Sequence, residues 1–271
     1  MANIIFLDNT ASRYAYIESS SEKAGAPGSN LLIEHPSHRW ESNTLAGPDP
    51  YFDIQLSVDG SEDAGYDAVY LGFFNVQPSG GFYVDLANFQ QDLSPNPSYS
   101  SGLVSWHQQT GLSYAYGDVS TWYRFPTRRT ETWMKIAISD DTNPDTVLRG
   151  SVIHVGKIHE PQIPMSFGSR LGYVDPSVIK HADAGNTIVR SFPGWDEGSI
   201  PMRFANEDDA LMFYALARRF GKRHAFFVHM DLDEATYAYH RQAYGRLEFQ
   251  AISRPLFDQY EVSIDVHGME K

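Results

Sequence analysis

The chain has no cysteine among its 271 residues, which excludes disulfides, thiolate metal centres and thiol nucleophiles. It has no apolar run approaching the ~20 residues that a membrane-spanning helix requires. Its start, Met1-Ala2-Asn3-Ile4-Ile5-Phe6-Leu7-Asp8, lacks the basic opening and long apolar core of a secretion signal, so assembly in a cytoplasm is expected. Positive charge is scarce: 21 Lys and Arg face 34 Asp and Glu, for a net charge of −13. That balance repels phosphate, which argues against nucleic acid and against insertion at an anionic membrane. Helical periodicity is missing from the first 158 residues. What remains is 42% hydrophobic, enough for a sizeable core, and 14% aromatic, mostly Tyr and Phe, which favours strands and contact surfaces.

Short runs of β-formers fill residues 1–158. They include Ile4–Leu7, Tyr51–Leu56, Ala68–Phe74, Phe82–Leu86, Trp133–Ile138 and Val152–Gly156. Turn formers separate them, among them Asp59-Gly60 and Pro78-Ser79-Gly80-Gly81. This pattern predicts a sandwich or barrel with Trp40 and Trp133 in its core. Residues 94–130 break the pattern with Pro95, Pro97, Gly102, Gly111 and Gly117, and crowd in aromatic side chains. They are expected to leave the sandwich as a long excursion, presenting Trp106, Tyr114, Tyr116 and Trp122 to a partner subunit or a glycan.

Residues 159–185 are irregular and proline-bearing, and are expected to form a linker or extended arm. Residues 186–271 carry the one clear helix. Asn206 is placed to cap it, Glu207, Asp208 and Asp209 complement its positive end, and Arg218 and Arg219 its negative end. Gly221 stops it. Ala210, Phe213, Leu216, Ala217 and Phe220 share one face. Strands around it predict a small α+β domain. The run Tyr237, Tyr239, His240 and Arg241 is a candidate oligomer contact.

No catalytic or metal constellation emerges, and no cofactor is expected. His35 and His38 share a polar loop without an evident third ligand, and His224 and His229 alternate to opposite strand faces. Asp141-Thr142-Asn143-Pro144-Asp145 opens like a calcium loop, but the sixth position is Thr146 and the twelfth Val152, so an Asx-rich turn is expected. No nucleophile elbow occurs, and no glycine-rich loop opens the helix.

The order Gly28-Ser29-Asn30-Leu31-Leu32, then His35-Pro36-Ser37-His38-Arg39-Trp40-Glu41-Ser42, then Tyr51-Phe52-Asp53-Ile54-Gln55-Leu56 resembles discoidin-type, galactose-binding-like jelly rolls. Trp133–Ile138 and Gly150–Ile158 resemble the closing strands of that fold. Glu34-His35 replaces the usual Asp-Gly, a departure in the loop where a ligand role would be inherited. The resemblance covers residues 1–158. It extends to the jelly rolls of long-tailed phage tail proteins, and the order of strands, capped helix, Gly221 and closing strands through Tyr260–Val266 resembles the tail-tube-like fold. The resemblance implies a mainly β protein with a discoidin-like jelly roll and a smaller C-terminal tail-tube-like α+β domain. It implies a non-catalytic virion structural protein of a phage tail tip or baseplate, assembled in the host cytoplasm. The C-terminal domain would form a ring of identical copies, and the jelly roll would contact tail tube, hub or fibre proteins. The alternative is a glycan-binding adsorption module recognising host surface polysaccharide.

Overall fold

The computed structural model describes residues 4–13, 15–44, 49–57, 65–77, 79–106, 119–161, 169–181, 187–191, 194–204, 207–230, 242–250, 253–256 and 259–269. The chain is mainly β, its sheets are largely antiparallel, and one α-helix occurs among the described residues. It divides into two compact units. One runs from Leu7 to His159, and the other joins the first six residues to Glu160–Glu234 and His240–Lys271. The opening strand, Ile5–Leu7, was expected in the sandwich. It instead pairs with Ala225–His229, because Ile4 and Phe6 complete the apolar core beneath the helix.

The Leu7–His159 unit is a sandwich. Its larger sheet has the order Tyr16–Ser19, Tyr51–Gln55, Trp133–Ser139, Gly81–Ala87 and Tyr99–Ser100, with Val104–Ser105 also paired to Gly81–Ala87. Its smaller sheet has Tyr66–Phe74 between Val152–Gly156 and Val119–Arg129. Side chains alternate along each strand, so Phe52, Ile54, Val84, Leu86, Met134, Ile136 and Ile138 face inward. They meet Val69, Leu71, Ile153 and Val155 of the smaller sheet. Trp40 fills this core as expected: its ring meets Phe52 edge-on, and its indole N–H donates to the Ser21 carbonyl at 2.9 Å.

The described residues of the stretch 94–130, which are 94–106 and 119–130, belong to the sandwich. Leu86 pairs with Tyr99 and Phe82 with Val104, while Val119–Arg129 runs along Tyr66–Phe74. Pro95, Pro97 and Gly102 flank the two-residue strands Tyr99–Ser100 and Val104–Ser105, which are too short to show alternation. A bulge interrupts the last pairing, where Phe73 takes a left-handed φ of 60° and its N–H donates to the Ser120 hydroxyl.

The second unit has one path of hydrogen-bonded strands. Ile5–Leu7, Ala225–His229, Gln242–Phe249, Gln259–Gly268, Trp195–Phe204 and Arg170–Val174 are neighbours in that order. The helix Glu207–Arg219 lays Ala210, Phe213 and Leu216 on this sheet, and Gly221 follows it with a φ of 53°. Its proposed cap, Asn206, lies outside the described residues. Two of the expected boundaries differ. Arg170–Val174 pairs with Trp195–Ser199 inside a stretch read as a linker, because Leu171 joins the edge of this core. Thr187–Arg190 leaves the sheet to form a separate hairpin with Val178–His181.

Candidate functional site: the outer face of the larger sheet

The residues that alternate outward from the larger sheet form three cross-strand rows. Antiparallel register aligns Tyr51, Ala137 and Tyr83 in one row. The next row holds Glu18, Asp53, Lys135 and Asp85, and the third holds Tyr16, Gln55, Trp133 and Ala87. An antiparallel sheet often turns one face to water, and polar residues alone would mark nothing. Here the face also carries Tyr16, Tyr51, Tyr83 and Trp133. Strand spacing of about 4.8 Å puts Tyr51 and Tyr83 roughly 10 Å apart, with only the methyl of Ala137 between them. That makes a shallow notch between two phenol rings.

Charges below the notch are fixed by their neighbours. The Lys135 ammonium lies 3.6 Å from an Asp53 oxygen and 4.3 Å from the centre of the Tyr51 ring. Partial burial raises the Asp53 carboxyl above its ordinary value, against the pull of Lys135, with Glu18 adding to the rise. Gln90 donates to Glu18 at 3.0 Å, and the exposed ring of Phe89 stands beside it in sequence. The face thus offers aromatic planes, carboxylate acceptors, an amide and an ammonium donor on one open surface.

Trp133 was expected in the core, yet its ring is only half-buried on this face. The signal was in the sequence: Lys135 shares its side of the strand, whereas Met134, Ile136 and Ile138 take the other. The residues read as loop contacts fall differently. Trp106 is 1% exposed, held between Phe74 and Phe82 at ring distances of 5.2 and 5.5 Å, so it is a core residue and not a surface contact. Trp122 is half-buried opposite Tyr70 in the smaller sheet. Tyr114, Tyr116, Tyr237, Tyr239, His240 and Arg241 lie outside the described residues.

A second polar cluster sits at the ends of the same unit and is structural in character. Asp8, 1% exposed, accepts N–H bonds from Thr10 and Lys157 at 3.0 and 2.9 Å and contacts His159 Nε2 at 2.8 Å. Burial alone would raise its carboxyl, but His159 and the two backbone donors outweigh it and hold the group down at about 2. Gly156 permits this approach, since a Cβ there would come within 2.0 Å of the Asp8 carbonyl oxygen. His154 is fully buried, and burial pushes its imidazole down to about 4 despite Glu34 and Asp8 nearby. Among the described residues no three His, Asp or Glu groups converge as a metal site. The stretch that imitates a calcium loop is an Asx-rich turn: Asn143 donates to Asp140 and to the Asn75 carbonyl, and Asp140 accepts the Gln77 N–H.

No protein-family model matches the chain, and no curated protein matches it. Solved structures do. A family 32 carbohydrate-binding module from C. perfringens NanJ, in complex with galactose, is 9% identical over 57% of this chain and 99% of its own, with a TM-score of 0.41. A chitosan-binding module from a Paenibacillus sp. IK-5 chitosanase/glucanase is 15% identical over 55% of this chain and 97% of its own, with a TM-score of 0.37. A fucolectin from striped bass, Morone saxatilis, is 13% identical over 98% of this chain and 94% of its own, with a TM-score of 0.38.

Proposed function

We propose that the protein binds carbohydrate through the outer face of its larger sheet, without catalysis. The observation that supports this is the pair Tyr51 and Tyr83 across Ala137, directly above the row Glu18, Asp53, Lys135 and Asp85. Aromatic faces carry partial negative charge and accept the C–H side of a pyranose, while the charged row serves its hydroxyls. The carboxylates flank Lys135 on an open sheet face and not across a cleft, which suits binding better than glycoside hydrolysis. Surface polysaccharide of a host cell is the ligand class that the adsorption reading requires. The test is binding to a broad glycan array, followed by calorimetry with the best ligand. Tyr51→Ala and Tyr83→Ala should each weaken binding about tenfold or more, since base–aromatic stacking of comparable area is worth about 1–3 kcal/mol. No binding by the native protein, or unchanged binding by both variants, would overturn the reading.

A second reading is favoured by the strand Arg170–Val174, which ends the sheet path and leaves Tyr173 65% exposed. It is a virion structural protein of a phage tail tip or baseplate, assembled in the host cytoplasm. Its C-terminal unit, tail-tube-like, would close into a ring of copies, and the sandwich would meet tube, hub or fibre proteins. Rings remove bare sheet edges that otherwise invite uncontrolled pairing. Negative-stain images across a concentration series test it, and a monomer at every concentration would defeat it.

A further inference from the structure

Of the four charged side chains in the row below the notch, three hold one another or their neighbours. Lys135 lies 3.6 Å from Asp53 and over the Tyr51 ring, and the two side chains are only 18% and 14% exposed. Glu18 accepts from the Gln90 amide at 3.0 Å and from the Tyr16 hydroxyl at 3.1 Å. The Gln90 bond crosses the sheet. Gln90 follows Gly81–Ala87, Glu18 belongs to Tyr16–Ser19, and Tyr51–Gln55 and Trp133–Ser139 run between those strands. The Thr132 hydroxyl pins the same segment by donating to the Asn88 carbonyl at 2.9 Å. The chain after Ala87 therefore closes off the far end of the row, and the open part is the side towards Tyr83.

Asp85 stands on that side. Its cross-strand neighbour is Lys135, but the ammonium leans to Asp53, and among the described residues no ion pair or hydrogen bond holds the Asp85 carboxylate. Tyr83 and Asp85 share one face of their strand, about 7 Å apart, while Val84 and Leu86 turn into the core. A sugar stacked on Tyr83 thus meets one carboxylate that has no other donor. The row holds three carboxylates and one ammonium, a sum of −2. A hydroxyl can satisfy Asp85, but only a cationic substituent also offsets that charge, through a hydrogen bond strengthened by it. A uronic acid would be repelled. We propose that the glycan held at this face carries a free amino sugar, with its ring on Tyr83 and its ammonium on Asp85. The net charge of −13 draws such a polycation in from a distance. This deepens the carbohydrate-binding reading and rests on it.

The experiment is calorimetry on the full chain at about pH 6, where the carboxylates are ionised. The probes are matched tetramers of glucose, glucosamine, N-acetylglucosamine and glucuronate, with the same four in the galacto series. In at least one series the free amine should bind about fivefold or more tighter than the neutral and acetylated sugars, with the uronate weakest. High salt should narrow that ratio. Asp85→Asn should bring the amine down to the level of the neutral sugar. Asp85→Lys should turn the preference towards the uronate, which a misfolded variant could not do. If no sugar binds, here or on the glycan array, the carbohydrate-binding reading and this inference fall together. If glycans bind but the amine is not preferred, or if the preference survives Asp85→Asn, this inference falls alone.

Discussion

Asp8 and His154 make the stability of the sandwich sensitive to acid in two separate windows. His154 is held neutral by burial, with its imidazole down from 6.5 to about 4, so the unfolded chain takes up that proton first. Stability therefore falls as pH drops from about 6.5 through 4, by about 3 kcal/mol for this group. Asp8, held at about 2 against an ordinary 3.8, adds a loss of about 2 kcal/mol as pH falls further through its folded value. Urea denaturation at pH 7, 5 and 4 should show the first loss, and His154→Gln should flatten it. Asp8→Ala should cost roughly 2–4 kcal/mol at pH 7, because it strands two backbone donors and a histidine in a dry site. At this scale the sequence was half legible. Trp40 declared itself core by its place between strands, whereas nothing near Trp106 distinguished a buried ring from an exposed one.

At the scale of elements, alternation was readable and register was not. Tyr51-Phe52-Asp53-Ile54-Gln55 and Trp133-Met134-Lys135-Ile136-Ala137 each announce a strand with one wet side. Which wet residues of separate strands meet depends on register, which is set by packing between residues far apart in sequence. The candidate carbohydrate face therefore stayed hidden although each of its strands was legible. Replacing Ala137 by Glu should fill the notch between Tyr51 and Tyr83 and abolish binding, with the melting temperature little changed because the row lies outside the core. The helix body was legible, since its charges, apolar face and stopping glycine agree. Phe213 meets Phe6 edge-on at 5.2 Å and stacks on Phe204 at 5.1 Å. Phe213→Ala should cost about 3–5 kcal/mol in denaturant titrations of the C-terminal unit.

For the whole molecule, the acidic balance was visible in composition. A gel-shift titration with duplex DNA at 0.15 M salt should show no complex, in keeping with a charge of −13. The assignment of the first residues was not visible, because a three-residue strand such as Ile5–Leu7 reads alike in any sheet. That short strand has a practical corollary. The chain begins one domain, departs at Leu7 to build the sandwich, and resumes the first domain at Glu160, so the sandwich is a guest spliced into a host. A fragment starting at Glu160 would leave Ala225–His229 paired on one side only, with Gln242–Phe249, and would strip Ile4 and Phe6 from the core, so it should be recovered as aggregate. Grafting Met1–Leu7 onto that fragment through a short glycine bridge should return it to solution, whereas the guest, whose two ends are clasped by Asp8 and His159, should tolerate being cut free.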